Sequence, residues 1–261
     1  MRDADSVIST MKNEIKMYER DHIEILRAQS SHTFPLHSHE SFCFGIVRSG
    51  EVCFRIGDQE ETLTKGMVYV IPSNVGVTIS AQERYEYITV CLKNRHRDCM
   101  AKYQITNFFP KEMEEKKFIQ LCDEYYNKAS STYFMEGVHA LLAPVMSQHI
   151  VKDNSIDFVE EAKTYIRNHI HDTFNLKEVA EAVHVSKFHL IRNFKQQVGV
   201  TPNQFYIQCK IFGVKQALKE NMKETDLAVD FNFSDQSYLC NLFKKQMGIT
   251  MKDFKRNFEQ H

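Results

Sequence analysis

With 261 residues and a mass of 30.6 kDa, the chain is long enough for two ordinary domains. Its 43% hydrophobic and 26% charged residues are globular values, which excludes a disordered, collagen-like or fibrous polymer. No apolar run reaches the ~18–20 residues that span a bilayer, residues 1–20 are charged where a signal peptide is apolar, and the seven cysteines form no C-x-x-C pair. The expectation is a reduced, cytoplasmic protein with no membrane partner, disulfide framework or thiolate zinc site. The net charge of −1 divides into −3 over residues 1–155 and +2 over residues 156–261, a mild basic excess in the second half.

From about residue 22 to 92, short β-branched and aromatic runs alternate with turn signals, the pattern of an all-β sandwich or barrel. Strands are expected at His22–Ala28, Glu40–Arg48, Glu51–Ile56, Glu60–Leu63, Met67–Ile71, Val75–Ser80 and Glu86–Leu92. Ser49-Gly50, Gly57-Asp58, Lys65-Gly66 and Pro72-Ser73-Asn74 supply the reversals. The period then becomes helical: Phe118, Leu121, Cys122 and Tyr125 mark a helix over Glu112–Lys128, and Val138, Leu141, Leu142 and Val145 mark another over Met135–Ile150. These helices, about 111–150, either pair with a second copy to make a homodimer or cover the barrel flank. Lys152-Asp153-Asn154-Ser155 reads as a linker between a first domain, 1–151, and a second, 156–261, with Ser155 as a helix cap.

The second half contains a repeat. Residues 179–205 recur as 227–254: Ala180 matches Ala228 and Ser186 matches Ser234, while Leu190/Leu239, Phe194/Phe243, Gly199/Gly248 and Thr201/Thr250 match one residue further on. Each unit, at about 176–197 and 225–247, has a short helix with a small Ala at the crossing, a turn, and a second helix opened by Ser and closed by Gly, which is a helix-turn-helix. Both second helices carry cations and no carboxylate. With Leu190, Phe194, Leu239 and Phe243 inward at i,i+4, the outward sets are Lys187, Phe188, Ile191, Arg192 and Lys195, and Gln236, Ser237, Cys240, Asn241, Lys244 and Lys245. Arg reads guanine, Gln and Asn read adenine, Phe and Ile touch the thymine methyl, and Lys meets phosphate. A spacer helix over Gln204–Asn221 would hold the two heads for successive major grooves, ~34 Å apart on B-DNA. The partner expected is double-stranded promoter DNA.

Residues of about 157–258 resemble the DNA-binding domain of the AraC/XylS family of bacterial transcription regulators. The resemblance rests on Leu176-x-x-Val179-Ala180, Ser186-x-x-x-Leu190-x-Arg192-x-Phe194-Lys195, Gly199-Val200-Thr201-Pro202, Phe233 through Leu239, Phe243-Lys244-Lys245 and Gly248-Ile249-Thr250. It implies base-edge contacts from Phe188, Ile191, Arg192, Gln236 and Ser237, and a partnership with RNA polymerase, usually for activation. Five positions depart from the family pattern. Asn232 replaces a turn Gly, Asn241 an Arg, Lys210-Ile211 an Arg-Leu, and Met251 a Pro; in addition, Gly213 weakens the spacer helix by about 1 kcal/mol relative to Ala.

The front segments Pro35 to Glu51 and Lys65 to Val75 resemble the cupin-type sensor barrel often found ahead of this domain, which implies a small-molecule effector and a mobile N-terminal latch at Met1–Arg20. His37 and His39 lie two apart on a strand and share a face, but Cys43 or Phe44 and Val77 stand where a metal cupin has its further ligands. No metal, cofactor or catalytic constellation is expected. The histidines either hydrogen-bond the rim or bind a ligand beside Phe34, Phe42, Phe44, Phe54 and Tyr69, rings that equally suit a core. The fold class expected is α+β: a cupin-like β-barrel with flanking helices, then an all-α domain with two helix-turn-helix units. The function expected is an effector-controlled, sequence-specific transcription regulator and not an enzyme. A metal-dependent cupin enzyme with a DNA-binding appendage, or a ligand-independent dimeric regulator, are the alternatives.

Overall fold

The computed structural model describes residues 13–105, 107–111, 114–148 and 158–260. In chain order the elements are Glu14–Arg20 (β1), Ile23–Ser30 (β2), Phe34–Ser38 (β3), Phe42–Ser49 (β4), Val52–Ile56 (β5), Gln59–Leu63 (β6), Val68–Ile71 (β7), Gly76–Ser80 (β8), Tyr85–Leu92 (β9), Asn94–Met100 (α1) and Tyr103–Ile105 (β10). There follow Glu115–Tyr126 (α2), Ser131–Leu142 (α3), Met146–Gln148 (β11), Phe158–Asn168 (α4), Leu176–Ala182 (α5), Lys187–Val198 (α6), Pro202–Lys219 (α7), Glu224–Asp230 (α8), Gln236–Met247 (α9), Met251–Asn257 (α10) and Phe258–Gln260 (β12). Every strand expected from the alternation is present, and β1, β3, β10, β11 and β12 are added to them, β11 falling where the spacing predicts a helix to Ile150. The linker 152–155 and residues 1–12 of the expected latch lie outside the described residues.

Two sheets face one another. The larger has the order β12-β1-β2-β9-β4-β7 and the smaller β3-β8-β5-β6. Period-two alternation gives each strand of the large sheet two different faces. On β9, Ile88, Val90 and Leu92 join Phe42, Phe44 and Ile46 of β4 against Phe118, Leu121, Phe134 and Val138 of α2 and α3. Within this copy, the apolar faces of both helices therefore cover the barrel flank, and Tyr126 and Tyr133 remain exposed. Phe42 and Phe44 belong to this core, so the structure places them on the opposite face from any pocket between the sheets.

The other face of the large sheet is divided. Cys43, Val47, Tyr69, Ile71, Tyr85 and Cys91 face Phe54, Ile56 and Val77 of the small sheet. Further along, Ile15, Met17 and Ala28 of β1 and β2 face helices: they share a core with Ile211, Val214 and Leu218 of α7, Leu227 and Phe231, and Phe243 and Phe254. The helical half thus closes the open side of the barrel. β12 adds a parallel strand beyond β1, with Met17 opposite Phe258.

Candidate nucleic-acid interface and interdomain cavity

In the first unit Ser186 caps α6 by accepting a bond from the His189 N–H at 3.2 Å, and Gly199 ends it in the left-handed region at φ 76°. In the second unit the cap is Asp235, accepting from the Tyr238 N–H at 2.7 Å, and Gly248 ends α9 at φ 74°. The capping role expected for Ser234 passes to its neighbour because the residue inserted in the second unit moves the helix start by one. Asn232 does adopt positive φ, at 48°, so the second turn survives without Gly.

Leu190, Phe194, Leu239 and Phe243 are fully buried, as the inward pattern requires. Of the outward residues, Lys187, Phe188, Arg192, Lys195, Gln236, Ser237, Cys240, Asn241, Lys244 and Lys245 are exposed, and Ile191 is half-buried. Phe188 is 87% exposed, a position for a large ring that packing does not explain. Lys210 is buried instead, donating to the Asn232 carbonyl at 2.9 Å with its ammonium over the rings of Phe233 and Tyr206. It braces the second turn where the family has Arg. Gly213 faces the Phe231 ring so closely that any side chain there would collide with it, so the weakened helix position is a crossing point.

Between the barrel and the helical half lies a cavity of about 500 Å³. Phe34, His37, His39, Phe54 and Tyr69 line it, together with Tyr85, Tyr87, Thr89, Cys43 and Cys91 from the large sheet and Gln208, Ile211 and Lys215 from α7. Of the seven residues expected at a ligand site, five are brought together here and Phe42 and Phe44 are not. His37 Nδ1 lies 2.7 Å from the Pro35 carbonyl, which only accepts, so Nδ1 carries the proton and Nε2 presents a lone pair. The His37 and His39 rings meet edge-on at 4.7 Å. Burial lowers the pKa of both, and for His39, with the neighbouring His37 and Lys215 adding to the effect, to about 3. Among the described residues no group of three His, Cys, Asp or Glu side chains is placed to hold a metal.

One end of the cavity is charged. Glu24 of β2 is buried and accepts from Lys215 Nζ at 3.0 Å on each oxygen and from Lys93 Nζ at 2.7 Å. Lys93 also bonds Glu19 at 2.8 Å, and Glu19 pairs with Lys219. Burial alone would raise the Glu24 carboxyl, but the Lys215, Lys93 and Lys219 ammoniums hold it far below the carboxylate range. Sequence reasoning missed this cluster. Its signal was Lys215 and Lys219 at i,i+4 on the α7 stripe that otherwise reads Ile211, Val214 and Leu218. Two further ties join the halves: Arg167 of α4 pairs with Glu40, and Ser38 Oγ donates to Gln208 at 3.4 Å. The C-terminal ends of both recognition helices rest on β3 and β8. Gly199 abuts Gly76, and Gly248 lies against Phe34, with His32 Nε2 donating to the Lys245 carbonyl at 2.9 Å.

Residues 22–116 match the AraC-like ligand binding domain and residues 179–257 a helix-turn-helix domain. An uncharacterized HTH-type transcriptional regulator of Bacillus subtilis (strain 168), YbfI, is 24% identical across 88% of this chain and 91% of its own. The HTH-type transcriptional activator RhaS of Escherichia coli O81 (strain ED1a) is 19% identical across 85% and 88%. In fold the chain is similar to ToxT of Vibrio cholerae: the apo form of a ToxT variant from strain SCE256 superposes with TM-score 0.65 at 11% identity, covering 92% of this chain and 98% of that one. Wild-type ToxT with an unsaturated fatty acid bound superposes with TM-score 0.60 at 13% identity, covering 98% and 97%. With both halves matched by these domain models and by regulators of similar length, the chain belongs to the AraC family of transcription regulators, a ligand-binding barrel joined to a helix-turn-helix DNA-binding domain.

Proposed function

We propose that the chain is a promoter-binding activator whose grip on DNA is set by a small molecule in the cavity between its two halves. The observation that carries this is the double duty of β3: Phe34 and His37 line the cavity, and the same strand and its β8 neighbour seat the C-terminal ends of α6 and α9. An occupant that shifts β3 changes how the two reading heads are held, which is the differential contact a two-state switch requires.

On this reading Lys187, Phe188, Ile191, Arg192 and Lys195 enter one major groove, and Gln236, Ser237, Cys240, Asn241, Lys244 and Lys245 the next, with RNA polymerase recruited alongside. A second copy would pair through the α2 and α3 side, where Tyr126 and Tyr133 are exposed. ToxT, solved with a fatty acid bound, supports a ligand-responsive layout for this fold. The chain acts by binding and not by turnover. Hydroxyl-radical footprinting of the full chain on its promoter tests the reading: two protected patches on one DNA face, ~34 Å apart, are expected, with a pattern that changes on addition of the effector. A single patch, or one indifferent to every cavity ligand, would count against it.

A further inference from the structure

We propose that the cavity occupant is an uncharged, mainly apolar molecule carrying a hydroxyl group, held by the two histidines; this rests on the effector reading above. The charged groups in the wall are already matched from within the protein. Lys215 and Lys93 share Glu24, Arg167 has Glu40, and Arg97 bonds Asp98 at 2.7 Å. A ligand carboxylate at Lys215 would have to displace Glu24, leaving that buried carboxylate without the lysine that bonds both its oxygens, a larger loss than the new pair returns. The bidentate seat an acidic ligand would use is filled by the protein's own side chain. A cation fares no better, since the two wall carboxylates among the described residues, Glu24 and Glu40, are both paired. The cluster of Glu19, Glu24, Lys93, Lys215 and Lys219 holds one ammonium in excess, but Lys219 pairs with Glu19 and does not line the cavity.

What remains uncommitted is neutral. His39 is enclosed at the cavity wall, and among the described residues neither of its ring nitrogens has a hydrogen bond to the protein. His37 turns an acceptor lone pair away from Pro35. Both rings are held uncharged by burial, so His37 offers one lone pair and His39 one lone pair and one N–H, a set that a hydroxyl, both donor and acceptor, satisfies. Around them stand Phe34, the stacked Phe54 and Tyr69 rings, and Ile79, with the Tyr69 hydroxyl occupied by Thr89 at 2.5 Å. The same wall carries the Tyr85 hydroxyl, buried without a partner among the described residues, so a hydroxyl on an aromatic or aliphatic skeleton is answered by the histidines with one further polar group in the wall.

Displacement of the neutral dye Nile red from the full-length protein tests this with matched series on phenylalkyl and naphthyl skeletons: alcohol, methyl ether and carboxylate. Alcohols should displace the dye about tenfold more tightly than ethers, and carboxylates more weakly than either. His39→Phe should weaken the alcohols more than the ethers and narrow the gap between them several-fold. Carboxylates winning, or alcohols and ethers binding alike, would overturn the ligand class while leaving effector control intact, provided the winner still alters promoter footprints. If no member of any series displaces the dye or alters the footprint, this proposal falls together with the effector reading.

Discussion

The two helix-turn-helix units share a repeat and differ in what completes them. The first closes on its own domain: Val159, Ala162 and Ile166 of α4 pack with Leu190, Phe194 and Val198 of α6 and Phe205 of α7, and among the described residues no barrel residue enters that cluster. The second is finished by the sensor, because Ile15, Met17 and Ala28 fill the core of α8, α9 and α10, and Asn13 donates to the Gly248 carbonyl at 2.7 Å. Lys215 carries the ionic part of the same contact. The second unit is therefore tied to the barrel through packing and charge, whereas the first touches it through Gly76 and the Arg167–Glu40 pair. Duplicated units have here become one anchored arm and one largely independent arm.

Breaking the ionic anchor gives the largest expected effect. Glu24→Gln leaves Lys215 and Lys93 buried without a full counter-charge, a loss of about 3–5 kcal/mol in the range found for broken buried pairs. Denaturant titration should show the loss, and hydrogen exchange should place it in β1, β2 and α7 to α10 while α5 and α6 keep their protection. The pH dependence follows from the same pair. The folded-state pKa of Glu24 is depressed, so its contribution is present above the ordinary carboxylate range and is lost only as pH falls through that depressed value. Docking of the second unit should survive mild acid and fail in strong acid.

Met17→Ala removes a fully enclosed side chain from the shared core and should cost about 3 kcal/mol. Its exchange signature should again fall on the second unit. Equal loss of protection in α5 and α6 would break the distinction between the two arms.

Much of this layout was legible in the chain itself. Alternation located the strands of residues 22–92, and the 48- or 49-residue offset located both helix-turn-helix units with their inward Leu and Phe pairs, because period and repeat are local signals. What stayed hidden depends on contacts far apart in sequence. β1 reads as an unremarkable charged segment, EIKMYER, until its Ile15 and Met17 meet helices some two hundred residues later. Phe42 and Phe44 could not be separated from Phe54 and Tyr69, since parity fixes which residues share a face and not which face is the pocket. Nothing in the sequence marks Glu24, because its three lysines lie 69 to 195 positions away.

A smaller effect sharpens the comparison at the DNA. α6 offers Arg192, able to hold guanine by two parallel bonds, while α9 has the shorter Asn241 near the corresponding point. Arg192→Ala should weaken specific binding by about 2 kcal/mol and flatten base preference in one half-site. Asn241→Ala should change both by less. Gel-shift titration on sites permuted at each half would read the two losses, and comparable losses would mean that both heads read bases to the same depth.

The smallest expected effect tests the pivot itself. Gly213 lies on α7 just past the change from residues that serve the first unit, ending at Cys209, to those that serve the second, beginning at Ile211. By helix propensity alone, Gly213→Ala should stabilise the protein by about 1 kcal/mol. The added methyl, however, meets the Phe231 ring at the end of α8, in a core too closely packed to yield without moving α8. Overpacking of this kind costs about 1–3 kcal/mol, so the two terms oppose and a net loss of about 1 kcal/mol is expected. Thermal unfolding gives the sign. A loss, with Phe231→Leu in the same chain restoring stability by making room for the methyl, would identify the α7–α8 crossing as the joint between the free and the anchored arm. A gain would show that α8 moves aside easily, and the second unit would then be held by the barrel alone.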